Sequence, residues 1–418
     1  MHSSRPSGRP AADLLVIGAS EVLTCTGPTD GADSGVGRIR GGAVAVGCGK
    51  IVATGSETEV REACDCSVAG LVDARGGVVA PGFVDAHTHL VFGGSRVLEY
   101  AARLTRSREA VAALGIPTGI MATVAMTRSE DPDALFAAAA PRLDEMLAHG
   151  TTTAESKSGY GLDPDSELKL LEVNRRLDGA HEIDLVSTFM GAHDFPADVP
   201  RDAYVDQVID EMIPRVAEEG LARFCDVFCD EGYYTVEQSR RILEAGRAAG
   251  LAPKIHADQY ADVGGADLAA ELGVASADHL NFTGPTGLRH MAEAGVTAVL
   301  MPLIDFAVGH PRPIRARDWV EAGLPIALGT DLCPGGYSVS MPLAIQFACR
   351  VNGLSPEEAM VAATAGSARA SGLTDRGTLE AGMLADLQVW DVPTLEDMVY
   401  RTGHNPVRTV IKNGKVVV

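Results

Sequence analysis

Eight short apolar runs recur through the middle of this chain, each followed by a stretch with helical spacing. The runs are 82–85, 151–156, 184–190, 224–228, 252–256, 275–279, 296–301 and 325–328. Segments 163–177, 205–219, 236–249 and 265–272 between them place apolar residues at the three-to-four-residue period of an amphipathic helix. Strand and helix alternating eight times over roughly 290 residues predict a (β/α)8 barrel of the α/β class, a TIM barrel. A doubly wound open sheet is the alternative. The count of eight and the polar residues after the strands favour the barrel, and no Gly-x-Gly-x-x-Gly follows the first strand.

The two ends of the chain have a different texture. Residues 14–17, 42–46, 50–54 and 77–79 read as short strands between glycine-rich turns. Residues 385–390 read the same way, and 407–418 carry Asn413-Gly414 between apolar runs, a strong hairpin signal. One small β-sandwich built from both termini, 1–80 with 371–418, accounts for this, with 81–370 as the barrel between them. The first ten or so residues read as a loose tail.

Composition narrows the possible partners. Lys plus Arg number 35 and Asp plus Glu 56, a net charge of −21. A nucleic-acid partner or an anionic membrane surface would be repelled. A small anionic substrate would need only a local basic pocket. No run of about 18 apolar residues and no secretory h-region is present. Eight cysteines without paired CxxC spacing read as free thiols in a reducing cytosol. The chain therefore reads as cytoplasmic, with a homodimer as the default assembly.

In such a barrel, chemistry sits where strands end. The first run ends in Asp85-Ala86-His87-Thr88-His89, and residues two apart on a strand face one side. The fifth ends in His256, the sixth in Asp278-His279 and the eighth in Thr330-Asp331. Imidazoles and a carboxylate gathered this way suit one divalent metal, zinc or iron, held by His87, His89, His256 and Asp331. A buried structural histidine is the alternative for any one of them, most readily His279. Such a metal lowers the pKa of water from ~15.7 to near 7. Asp331 could take the water proton, and His279 could orient the water or polarise the electrophile. That set suits attack on an sp² carbon. Lys157 falls after the second run, out of place for a carbamylated metal bridge.

These residues resemble the amidohydrolase superfamily: PGFVDAHTHL at 81–90, then His, His and Asp in order, then GTLEAGMLADLQVWD at 377–391. More narrowly, HTHLVFGGSR (87–96), GTTTAESKSGYGL (150–162), FMGAH (189–193), KIHAD (254–258) and SADHL (276–280) resemble the imidazolonepropionase family of histidine breakdown. The resemblance implies that Arg96 and Tyr160 hold a propionate carboxylate and that His193 contacts a ring oxo group. A guanidinium fork suits that task. It implies one divalent metal and a small anionic heterocyclic substrate.

Departures bear on the ring pocket rather than on the metal set. Gln259 stands where the family often has a glutamate proposed as general base, and an amide cannot take a proton. Cys333 stands near the place of an asparagine. Ser107-Arg108-Glu109 and Gly115 to Ile120 replace an aromatic residue and a triple-glycine segment. The expected activity is opening of an imidazolone ring. The alternatives are the same chemistry on another carboxylate-bearing N-heterocycle, and a non-catalytic metal-binding barrel.

Overall fold

The computed structural model describes residues 9–27 and 34–418; the N-terminal tail foreseen above lies largely outside them. All eight apolar runs are strands. They are β1 (Phe83–Asp85), β2 (Thr151–Lys157), β3 (Asp184–Ala192), β4 (Phe224–Cys229), β5 (Ala252–Pro253 and Ile255–Ala257, interrupted at Lys254), β6 (Ser276–His279), β7 (Thr297–Leu300) and β8 (Ile326–Leu328). Neighbours pair in parallel from β1 through β8. The ring closes just past the strand ends, where Ala86 N donates to Leu328 O at 3.1 Å and Thr88 bridges Leu332. Gly329 makes that closure possible, because a Cβ there would lie 2.8 Å from the Cβ of His87. The fold is thus the closed barrel rather than an open sheet.

Helices cover the strands as their patterns require. Val236–Ala248 starts with a capping box between Thr235 and Gln238 and buries Ser239, Ile242, Leu243 and Gly246, one face at helical period. Gly246 lets the helix approach β4; a Cβ there would lie 2.7 Å from that of Cys225. The segment 205–219, read as one helix, is three pieces: Arg201–Gln207, a wide turn Val208–Met212, and Ile213–Glu218. Pro214 sits in the first turn of the last piece. It has no N–H to give the preceding turn, so the ladder shifts register there.

Two sheets stand outside the barrel. One is ordered Lys50–Ser56, Gly42–Gly47, Leu14–Ile17, Gly70–Asp73. The other is ordered Lys415–Val416, Val407–Lys412, Leu387–Trp390, Val78–Pro81, Glu21–Leu23, Arg38–Arg40. A cluster including Val16, Val22, Val44, Val79, Leu387 and Ile411 fills the space between them. Strand Leu387–Trp390 pairs with Val78–Pro81, so the two ends of the chain share one sheet. The Asn413-Gly414 turn has φ of 49° and 78°, the doubly positive geometry of a tight hairpin turn. Among the described residues, no helix is long and apolar enough to cross a membrane.

Candidate active site

The C-terminal ends of the strands surround a cavity of about 900 Å³. His89, Arg96, Tyr160, His193, His256, Gln259, His279, Asp331 and Cys333 all line it. His87 lies just below, fully buried. The ligand atoms of His87, His89 and His256 lie within 4.8 Å of one another, and so do those of His87, His279 and Asp331. His87 Nε2 is 3.7 Å from Asp331 Oδ1. Every site residue expected from the sequence is therefore gathered in one place.

Three of the rings, His87, His89 and His256, are aimed by the other nitrogen. His87 Nδ1 meets Asp278 Oδ2 at 2.7 Å, and His256 Nδ1 meets Asp226 Oδ2 at 3.1 Å. Nδ1 of His89 reaches the Ser158 carbonyl at 3.4 Å. Carboxylate and carbonyl oxygens only accept, so these nitrogens carry the hydrogen and Nε2 is left with its lone pair. Nε2 of both His87 and His256 is buried without a hydrogen-bond partner among the described residues. Burial first, and then the nearby Lys157 ammonium, holds both imidazoles neutral. Burial pushes the Asp331 carboxyl well above the ordinary carboxylate range. Orphaned lone pairs beside a carboxylate short of positive charge are the chemistry of a cation site, so the residues present fit one divalent metal.

The backbone is bent where the strands deliver these groups. Asp331, His279 and Asp258 have φ of 48°, 75° and 51°. Left-handed non-glycine residues cost about 1 kcal/mol or more each and persist where surrounding structure holds them. Asp331 N donates to His87 O at 3.0 Å, and Asp258 accepts from the N–H of Val263, Gly265 and Ala266.

The substrate side of the cavity is equally built. His193 stacks on His89 with ring centres 4.6 Å apart and donates from Nδ1 to Gly159 O at 3.0 Å. Burial pushes the Tyr160 phenol well above its usual range, so it stays a neutral donor. The Cys333 thiol is pushed up by burial and then by Asp331, and stays protonated. Arg96 is held by Glu99, Nε to Oε2 at 2.6 Å and Nη2 to Oε1 at 3.1 Å. Its Nη1 has no hydrogen bond among the described residues. The 107–120 segment that departs from the family pattern closes one wall of the cavity, where Glu109, Gly119 and Ile120 line it.

Sequence reasoning missed three supports. Glu99 reads as an exposed helix residue but is buried against Arg96. Glu167 reads as a charge at a helix start, yet its carboxylate accepts from the N–H of Gly159, Gly161 and Leu162 and so fixes the Ser158–Leu162 loop. The third is a buried charge cluster beneath the histidines, with Lys157 as the last residue of β2 rather than beyond it. The available signal was period-two charge inside apolar runs, as in Glu155-Ser-Lys157 and Lys254-Ile-His256.

Gly159 is where the loop packs closely against His193. Its φ is +103°, and a Cβ would lie 2.9 Å from His193 Nδ1 and 3.0 Å from Met190 O. Gly159→Ala is expected to lower stability by about 2–3 kcal/mol and to displace His193. A denaturant melt measures it, and wild-type stability would show that the loop relaxes freely.

Comparison with known proteins agrees with this geometry. The sequence profile of the amidohydrolase family matches residues 70–114 and 101–418, so the chain is a member of that family. Two solved structures share the fold at 20% identity. One is an adenosine deaminase from Xanthomonas campestris with bound zinc (TM-score 0.73, covering 98% of this chain and 93% of that one). The other is an atrazine chlorohydrolase mutant from Arthrobacter aurescens with zinc and atraton (TM-score 0.74, 97% and 95%). Much closer in sequence are imidazolonepropionases. That of Geobacillus kaustophilus is 46% identical, with 92% of each chain covered. Those of Shouchella clausii and Halobacterium salinarum are both 44% identical, covering 97% of this chain and 93% and 98% of theirs. Within the amidohydrolases, this chain belongs to the imidazolonepropionase family.

Proposed function

We propose that this protein opens the ring of 4-imidazolone-5-propanoate with water to give N-formimino-L-glutamate. The observation that carries the reading is a carboxylate-binding group, Arg96, on the same cavity as three convergent, neutral histidines and Asp331. His87, His89, His256 and Asp331 would hold one divalent metal, zinc or iron. Bound there, it would supply Lewis acidity and make water acidic enough to ionise near neutral pH.

The chain's own groups do the rest. Arg96 Nη1 and the Tyr160 hydroxyl take the propionate carboxylate. The ring oxo group lies against His193, whose Nδ1–H is committed to Gly159 and whose Nε2 side faces the cavity. Asp331 accepts the proton of the attacking water at Oδ and returns it to the ring nitrogen as the C–N bond breaks. His279 holds that water from the side of β6. Gln259 can donate and accept hydrogen bonds to the ring but moves no proton. Its main-chain carbonyl accepts from His310 Nε2 at 2.9 Å, which holds the backbone of residue 259 to the wall. Cys333 replaces an amide with a neutral thiol, and this is the observation that favours a second reading, a related carboxylate-bearing heterocycle.

The test is turnover of 4-imidazolone-5-propanoate by metal-loaded protein, followed by loss of the imidazolone absorbance. A rate no greater than that of His87→Ala would overturn the activity. Faster turnover of another cyclic amide or amidine in the same panel would favour the second reading. All eight cysteines are unpaired, which supports a reducing, cytoplasmic setting.

A further inference from the structure

The floor of the site holds more charge than ring opening needs. Glu155, Lys157, Asp226, Lys254 and Asp278 are all fully buried inside the barrel, from β2, β4, the interruption of β5, and β6. Barrel interiors are ordinarily filled by branched apolar side chains, and a buried ion persists only when paired.

The pairing has a specific centre. Lys157 Nζ lies 2.7 Å from Asp226 Oδ2, 2.9 Å from Glu155 Oε2 and 3.2 Å from Asp278 Oδ2. Asp226 Oδ2 and Asp278 Oδ2 are the very atoms that hold Nδ1 of His256 and His87. One ammonium therefore bridges the two oxygens that aim two metal-facing rings. The remaining acceptor positions are filled as well. Ser276 Oγ donates to Asp278 Oδ1 at 2.7 Å, and the N–H of Val227 and of His256 donate to Asp226 Oδ1 at 2.7 and 3.1 Å. Lys254 is as deeply buried but reaches Glu155 Oε1, at 2.7 Å, rather than either of those aspartates.

The same groups could hold an ion. Ligand atoms of Asp226, His256 and Asp278 lie within 4.8 Å of one another, as do those of His87, Glu155 and Asp278. Lys157 is in contact with all three carboxylates of these two sets.

We propose that Lys157 is a positioning residue, a built-in cation that stands where a second metal would sit and fixes Asp278 and Asp226 against His87 and His256. The site then takes one metal, with both rings already aimed. The inference rests on the metal reading above.

Zinc content and zinc affinity, by competition with a chelator, test it on the full chain. The proteins are wild type, Lys157→Met, Lys254→Met and the double variant Lys157→Met/Glu155→Gln. The double variant removes one cation and one carboxylate together, so it guards against a single variant that fails to fold. Wild type is expected to bind one equivalent. Both Lys157 variants are expected to bind the first zinc about 10–100-fold more weakly, the size seen when a partner behind a ligand is removed, and to admit a second equivalent. Lys254→Met is expected to keep wild-type affinity. Melting of the metal-free proteins supplies a readout of structure alone. A folded Lys157 variant with one equivalent at wild-type affinity would overturn the role of Lys157. So would an equal loss in Lys254→Met, which would mean that the barrel needs only the charge. Wild-type protein that takes up no zinc or iron would instead overturn the metal reading itself.

Discussion

Asp331→Asn is expected to lower kcat/KM by about three orders of magnitude while leaving the fold intact. The side chain sits 3.7 Å from His87 Nε2, beside the unpartnered imidazole nitrogens. Asparagine has the same shape and tolerates the left-handed φ of 48° that position 331 requires. The backbone bond from residue 331 to the His87 carbonyl is independent of the side chain. What the change removes is negative charge toward a metal and an acceptor for the water proton. General-base groups are worth about 10²–10⁴-fold. Steady-state kinetics together with metal content measure the effect. Activity within tenfold of wild type would mean that Asp331 neither moves the proton nor holds the metal.

Arg96→Met is expected to raise KM about 100-fold, ~2.8 kcal/mol at 1.4 per decade, with kcat changing less. A charged hydrogen bond to a carboxylate in a partly dry cavity is worth a few kcal/mol once its partner is left unpaired. Glu99 complicates the single change, because it is 3% exposed and, among the described residues, would be left with Arg103 at 3.4 Å and the N–H of Gly119 at 3.2 Å. Arg96→Met/Glu99→Gln removes that uncompensated charge. If both variants lose affinity for the carboxylate substrate and neither loses it for an analogue without the carboxylate, Arg96 is the clamp. Equal losses for the two ligands would make Arg96 a structural residue.

Much of the site was legible because barrels put their chemistry at strand ends. His87 and His89 announce themselves by spacing, and His256, His279 and Asp331 by following apolar runs. The support beneath them was not legible for a physical reason. A lysine in a sequence is by default a solvated surface group, since burying its charge alone is prohibitive. Lys157 is buried only because Glu155, Asp226 and Asp278 converge on it from three strands. Burial opposes its charge, yet those carboxylates outweigh burial and hold it well above the ordinary lysine range. Asp278 in turn is brought down to about 2, against burial, by Lys157 and Lys254. Glu99 and Glu167 escaped notice similarly, because a glutamate near a helix start reads equally well as a favourable end charge.

The sequence by itself determined the alternation of strand and helix, the hairpin at Asn413-Gly414 and the kinds of side chain delivered at each strand end. These follow from local periodicity, turn chemistry and the direction in which neighbouring residues point. Tertiary structure alone decided which of those side chains meet. Asp331 stands beside His87 because Ala86 pairs with Leu328 and Thr88 with Leu332, closing a ring between segments far apart in the chain. It also decided that two buried lysines pair with three buried carboxylates under the histidines. Electrostatic compensation at 3 Å is a property of the closed barrel, and no single strand carries it.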